Sequence, residues 1–413
     1  MRVLIAGFDL FQSVGGGQTF YRGAIEKNPD IEFYYLRDQE SESAIRPPNA
    51  HAVPYELVYT PASIAGFSEP DVPGWLIHDF LATNNIARAV AGMSFDVVDT
   101  PDYERYGHML PGALARHGAS TDKVVLSMHG AISTTLALNW GGTVSPMTYL
   151  VELERLQYST VDNRYFISPW YRNEWKGYSP LPTHDLDPMW IFSPPPRKPY
   201  RPNPAPPTLL FVGRTEKRKG PHLFIQMAWW LPPNSFKEAV VIGPSVTDPH
   251  GKSSNAYIRE LAKMRNISDR VRIETTKSHA ELGELYATKT VMVTPSTYDT
   301  LNLVALEAVF AGCPTVIGTG AGVCQYLRER FPEFPFVQCD LGQFYAQLPK
   351  VESLLSDYDY RRSELEAALD KADLAPRTPP LSNIYRASPA FDHAARAEVE
   401  RYEQRLGASL RMS

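Results

Sequence analysis

Short apolar runs, each followed by a turn and a longer amphipathic stretch, recur along the whole chain. In the first half they are Val3 to Phe8, Ile31 to Leu36, Phe95 to Asp99, Val124 to Met128 and Tyr165 to Ser168. In the second half they are Leu209 to Gly213, Ala239 to Gly243, Val271 to Glu274, Val291 to Thr294, Thr315 to Gly318 and Phe336 to Cys339. Continuous apolar runs of this length are the mark of strands buried on both faces. Helical patterns of roughly 10 to 15 residues separate most of them, which predicts βαβ units and parallel sheets. The expected architecture is α/β: two doubly wound, Rossmann-like domains in tandem. Ligands of such sheets bind beyond the carboxyl ends of the strands, so a site is expected in the cleft between the domains.

Proline marks where the halves meet. Of 36 prolines, eleven lie between Pro180 and Pro207. Proline fixes φ and lacks a backbone donor, so this stretch predicts a stiff, extended connector. The expected domains are therefore residues 1–179, a connector at 180–207, and residues 208–375. A tail at 376–413 contains an amphipathic helix at 392–410 that could pack back on the first domain.

With 41 Lys and Arg against 46 Asp and Glu, the net charge is −5, which argues against a nucleic-acid partner. No stretch of 18 apolar residues exists, so no integral membrane segment is expected. The first residues lack a signal-peptide pattern, and a cytoplasmic protein is expected. Cys313, Cys324 and Cys339 are too few and scattered for a disulfide framework or zinc site and read as buried thiols.

Three segments carry candidate chemistry. Gly15-Gly16-Gly17 follows the first strand and opens a helix, where backbone N–H groups can approach an anion; the alternative is a flexible turn. Phe211-Val212-Gly213-Arg214 followed by Lys219-Gly220 brings a guanidinium and an ammonium to one strand end, suited to a diphosphate. Lys217 and Arg218 between them read as a solvated basic turn. In Val293 to Ala308 a strand end, a turn with Asp299 and an apolar helix with Glu307 follow one another. A carboxylate in so apolar a helix is costly unless partnered, and Glu307 could accept from two adjacent ribose hydroxyls.

Gly213-Arg214 with Lys219-Gly220, and the two acids inside Pro295-Ser296…Glu307-Ala308…Gly312-Cys313-Pro314, resemble the nucleotide-sugar half of family 4 retaining glycosyltransferases. These have the GT-B fold, two Rossmann-like domains around a cleft. The resemblance covers most of residues 208–330. It recurs more weakly at Gly15 to Gly17, Phe95-Asp96-Val97-Val98 and Ser127-Met128-His129. It implies that Arg214 and Lys219 hold the donor diphosphate, Glu307 the ribose and Asp299 the transferred sugar. The backbone of Leu301, Asn302 and Leu303 would approach sugar and phosphates, Gly16 and Gly17 would lie by the diphosphate, and His129 would face the sugar. Taken alone, His129 reads as a structural histidine, as do His108, His184 and His279.

Two positions depart from the family pattern. Asp299 stands where Glu is usual, and Leu301-Asn302 where an aromatic-Gly pair is frequent. The implied reaction is transfer with retention, from a nucleotide diphosphate sugar to a carbohydrate or other hydroxyl-bearing acceptor. Neither metal nor further cofactor is expected. With no long basic amphipathic helix in evidence, a soluble acceptor is favoured. Tyr103, Tyr106, Trp140, Trp170, Tyr171 and Trp175 are candidates to stack on it, or else to pack in the core.

Two other readings stay open: a catalytically silent relative that binds nucleotide or sugar, and a sugar-nucleotide epimerase, for which no additional acid-base residues are identified. A dinucleotide fingerprint at Gly318-Thr319-Gly320-Ala321-Gly322-Val323 fails at Val323, and a P-loop at Gly251-Lys252-Ser253 fails at Val246. The acid pairs Asp185/Asp187 and Asp357/Asp359 read as solvated.

Overall fold

A computed structural model of the chain describes residues 1–11, 15–37, 46–58, 74–140, 145–161, 163–178, 183–248 and 250–388. The strands are β1 (Arg2–Phe8), β2 (Glu32–Arg37), β3 (Ala50–Pro54), β4 (Ser94–Phe95), β5 (Val97–Pro101), β6 (Ser120–Thr121), β7 (Val124–Met128), β8 (Asn163–Phe166) and β9 (Thr183–Asp185). They continue as β10 (Thr208–Val212), β11 (Ala239–Ile242), β12 (Val271–Glu274), β13 (Thr290–Thr294), β14 (Thr315–Gly318) and β15 (Val337–Cys339).

The first sheet has the order β3-β2-β1-β5-β7-β8-β9 and the second β12-β11-β10-β13-β14-β15. Every pairing is parallel, from Val3 beside Val97 to Val316 beside Val337. The central strands β5, β7 and β13 are buried along their whole length. That is why they read as unbroken apolar runs rather than as alternating ones. Two edge strands, β3 and β9, escape that reading because they are short and carry His51 and His184 among small or polar neighbours.

Strand β9 also corrects the extent of the connector. Residues 183–185 belong to the first sheet, as an edge strand between Pro182 and Pro188 where the prolines disturb no ladder. The next turn, the 3-10 helix Pro188–Trp190, is buried. Ile191 lies so close to the helix Gly16–Lys27 that a Cβ on Gly23 would collide with its carbonyl. Phe192 packs on Phe310 at 5.7 Å. One hydrophobic cluster therefore runs from the first sheet through this turn to Leu301, Leu306 and Leu327 of the second unit.

A short helix, Leu381–Ala387, returns to the first unit, where the Tyr385 hydroxyl donates to Asp99 at 2.6 Å. Asp99 is buried on β5 and also accepts from Tyr21 and Tyr165, each at 2.8 Å. Burial raises its pKa despite these donors. The helix expected at 392–410 lies outside the described residues, as does the boundary at 179–182. Among the described residues no helix is long and apolar enough to cross a membrane. All three cysteines are buried and free.

Candidate active site between the two sheets

Strand order reverses between β1 and β5 in the first sheet and between β10 and β13 in the second. The loop beyond β13 meets the loop beyond β7, the neighbour of β5 in the first sheet. The Thr300 hydroxyl, beyond β13, donates to the carbonyl of His129, beyond β7.

The second sheet supplies the basic loop. Beyond β10, Gly213 has φ +147°, and the equivalent Gly243 beyond β11 has no room for a Cβ against the Gly213 carbonyl. Arg214 follows, exposed, with its Nε 2.8 Å from Glu216 Oε1. Arg218 is not solvated as expected. It is buried, its Nε 2.7 Å from Glu216 Oε2 and its Nη1 donating to the Tyr298 carbonyl at 3.1 Å. A buried carboxylate between two guanidiniums explains why so basic a turn folds inward. Lys217 is exposed, as expected.

Lys219 is ion-paired with Asp299. Burial lowers the Lys219 pKa, and the Asp299 charge works against that shift. The turn bearing Asp299 is fixed from behind by the glycines beyond β14. The Asp299 N–H donates to Gly320 at 2.9 Å, and Gly322 donates back to Asp299 at 2.8 Å. A Cβ on Gly318, Gly320 or Gly322 would collide with the backbone of Ser296, Thr297 or Thr300. The glycines that imitate a dinucleotide fingerprint are thus there for close backbone packing.

Asn302 starts the helix Leu303–Phe310 from the left-handed region, at φ 71°. Its Oδ1 accepts from the Ala305 N–H at 3.0 Å, a helix cap, so that oxygen is not free for a sugar. Leu301 is buried in the shared core and only its backbone reaches the turn. Leu303 is the first residue of the helix, so its N–H lacks an intrahelical acceptor. Glu307, one turn on, is buried, with His279 Nδ1 at 3.5 Å from its Oε1. The hydrogen bond to Glu307 raises the His279 pKa.

Across the cleft, the helix Gly16–Lys27 begins without a side-chain cap at Gly15. Gly16 borders open space, whereas a Cβ on Gly17 would strike the Tyr103 hydroxyl. His129 is buried with its ring edge-on to Phe20 at 4.4 Å, and its Nε2 has no partner. Burial lowers its pKa to about 3, so the ring is neutral. Asp102 holds its backbone: the carboxylate accepts from His129 N at 2.8 Å, from Gly130 N at 3.0 Å and from the Tyr171 hydroxyl at 2.7 Å.

Comparison with known proteins sharpens this geometry. Residues 194–368 match the family model described as Glycosyl transferases group 1. The D-inositol 3-phosphate glycosyltransferase of Corynebacterium urealyticum is 30% identical over 195 residues, 46% of this chain and 45% of that one. That of Frankia alni is 35% identical over 121 residues, 28% and 29% of the two chains. The chain thus spans less than half the length of these curated relatives. Sucrose-phosphate synthase from Thermosynechococcus elongatus superposes with a TM-score of 0.62 at 17% identity, covering 99% of both chains. HepE from Anabaena, in complex with UDP and glucose, gives 0.62 at 12%, covering 94% and 97%. The fold is GT-B.

Within that GT-B cleft, Lys219 and Asp299 are in contact, His129 is tied to the Asp299 turn through Thr300, and Arg214 flanks the same loop. Glu307 contacts His279, a histidine read as structural. Asp102, Glu216 and Asn139 were not anticipated. Asn139, at the end of helix Ile132–Trp140, donates to Glu216 at 3.3 Å and accepts from Arg218 N at 3.1 Å. No local pattern announces Asp102 or Asn139, because their partners lie 27 to 79 positions away, whereas Glu216 pairs with Arg214 and Arg218 two positions to either side.

The aromatic candidates divide. Trp175 stacks on Tyr158 at 4.5 Å, Trp170 packs edge-on to Tyr298 at 5.3 Å, and Tyr106 and Tyr171 are buried. Tyr103 alone lines the glycine loop; the Trp140 side chain lies outside the described residues. The acid pairs are not all solvated as expected: Asp187 is buried and accepts from Tyr326, Asp185 bonds Arg172, and Asp359 accepts from Tyr200.

Proposed function

We propose that this protein is a retaining glycosyltransferase that moves a sugar from a nucleoside diphosphate sugar, UDP-linked in the first instance, to an acceptor hydroxyl. The observation that carries the reading is the buried, unpartnered Nε2 of His129 beside the Lys219–Asp299 turn. An orphaned buried imidazole nitrogen is costly, and a sugar hydroxyl in the cleft would satisfy it. Arg214 and Lys219 take the diphosphate, Glu307 the ribose, and Asp299 a hydroxyl of the transferred sugar. Gly213 leaves the strand end open, and Gly16, Gly17 and the N–H groups at Leu301 to Leu303 approach sugar and phosphates. Because Lys219 already neutralises Asp299, a donor must share or displace that pair, which couples sugar recognition to diphosphate binding.

Charge builds on the leaving diphosphate as the glycosidic bond breaks. Fixed cations and helix N–H groups stabilise it without reorganisation, so the protein needs no metal for this step. The leaving phosphate oxygen takes the acceptor proton on the same face, which preserves the anomeric configuration. UDP in the HepE complex and the inositol phosphate transferases among the relatives support a UDP-sugar and a polar, soluble acceptor.

Thermal shifts with UDP, GDP, ADP and dTDP, without added metal, test the reading. A ligand at 100 times its Kd adds about 2.7 kcal/mol of stability. UDP is expected to raise the midpoint, and Glu307→Ala to abolish the rise. No response to any nucleotide overturns the proposal. Turnover of a UDP-sugar, followed by NMR of the product anomer, tests retention. Binding without turnover or donor hydrolysis identifies a silent relative instead.

A further inference from the structure

The helix Ile132–Trp140 runs from the turn bearing His129 to the basic loop of the second unit. Its front end is the turn bearing His129, pinned by buried acids. Asp102 takes the His129 and Gly130 N–H groups, and Glu154 takes the Ser133 N–H at 2.9 Å and hydroxyl at 2.5 Å. Its far end carries Asn139, whose two amide atoms act in opposite senses across the cleft. Oδ1 accepts from the Arg218 N–H, and Nδ2 donates to Glu216 Oε2. Nine residues of helix at about 1.5 Å each form a rod some 13 Å long, stiff enough to carry a displacement from one end to the other.

We propose that Asn139 is a positioning residue that reports the state of the basic loop to His129; the inference rests on the donor reading above. Glu216 is shared by two guanidiniums of unequal freedom. Arg218 is buried and also tied to the Tyr298 carbonyl, whereas Arg214 is exposed and free to swing. A diphosphate that draws Arg214 away leaves Glu216 with Arg218 and Asn139. The Asn139 Nδ2–H bond to that carboxylate then strengthens, since hydrogen bonds to a less compensated charge are stronger. The rod is pulled toward the loop, and the His129 turn moves with it.

UDP is the probe, and the full chain is used throughout. Asn139→Ala removes both bonds, and Asn139→Asp keeps the acceptor while setting a like charge against Glu216. Calorimetry gives the UDP affinity, and the ring resonances of isotopically labelled His129 give its environment. In the wild type UDP shifts the His129 resonances. In N139A and N139D, UDP is expected to bind within about threefold of the wild-type Kd while at least half of that shift is lost, more in N139D. Equal His129 shifts in all three proteins overturn the coupling, since direct contact with UDP then accounts for them. A loss of affinity and of thermal midpoint together, with the shift per bound UDP unchanged, also overturns it and leaves Asn139 a structural contact. Failure of the wild type to bind any nucleoside diphosphate instead overturns the donor reading on which the inference stands.

Discussion

Replacing Asp102 by Asn tests the electrostatics of the first unit directly. Asp102 is wholly buried, and burial raises its pKa from 3.8 to about 7, against the opposing hydrogen bonds from Tyr171, His129 and Gly130. A pKa raised in the folded state means that the fold holds a proton the unfolded chain has released. Stability from this group is therefore complete below about pH 4 and is lost as pH rises through 7. That rise corresponds to about 4 kcal/mol in full, of which somewhat over half falls between pH 5 and 8. D102N keeps an oxygen for the His129 and Gly130 N–H groups and cannot ionise. Thermal midpoints of both proteins across pH 5 to 8 give the assay. Burial also raises the pKa of Asp99, Glu104 and Glu154, so both curves fall with pH, and the difference between them isolates Asp102. At roughly 2–4 °C per kcal/mol for a unit of this size, D102N should gain about 5–10 °C on the wild type from pH 5 to pH 8. Parallel curves would refute the reasoning.

Two further outcomes are expected. Asp299→Asn leaves the half-buried Lys219 without its counter-charge and should cost about 2 kcal/mol, whereas Asp299→Asn with Lys219→Met should recover most of it; denaturant midpoints of the singles and the double measure the coupling. Asn302→Ala loses a cap and keeps a left-handed backbone that Ala tolerates poorly, for about 2 kcal/mol, whereas Asn302→Gly loses the cap without the strain and should cost well under half as much, which chemical melts will resolve.

The sequence reading and the structure part company at identifiable points. All six strands of the second sheet were legible: the four inner ones are buried and write unbroken apolar runs, while the edge strands β12 and β15 are partly exposed and keep only partial ones. Glu307 was legible for the same reason, as a single acid in an otherwise apolar helix. Asn302 was misread in part: the side chain does what a glycine would have made unnecessary, holding a left-handed residue and capping the helix it begins. Arg218 was misread because a run of basic residues looks solvated until the acid that buries it is seen, and Glu216 is only two positions away but faces inward. Asp102 was invisible. Its three donors come from the turn beyond β7 and from a helix near residue 171, and no spacing in a linear chain brings those together.

The two halves of the cleft are built with opposite electrostatics, and that contrast would orient the proposed donor. On the first unit, the helix beyond β7 begins against Asp102 and Glu154, whose buried carboxylates occupy the N–H groups that would otherwise attract an anion. The uncapped start of Gly16–Lys27, opened by Gly16, keeps that attraction. On the second unit, Arg214 and Lys219 remain at the strand ends, one exposed and one half-buried, each held by a single acid that a diphosphate can replace. In the proposed reaction an anionic leaving group would therefore be drawn to the second sheet and steered by one glycine-lined helix start of the first. The sugar would then lie between Asp299 and the unpartnered nitrogen of His129. Neutral His129 suits that place. A second cation there would hold the diphosphate where the sugar must react, whereas an uncharged nitrogen with no partner of its own selects a hydroxyl.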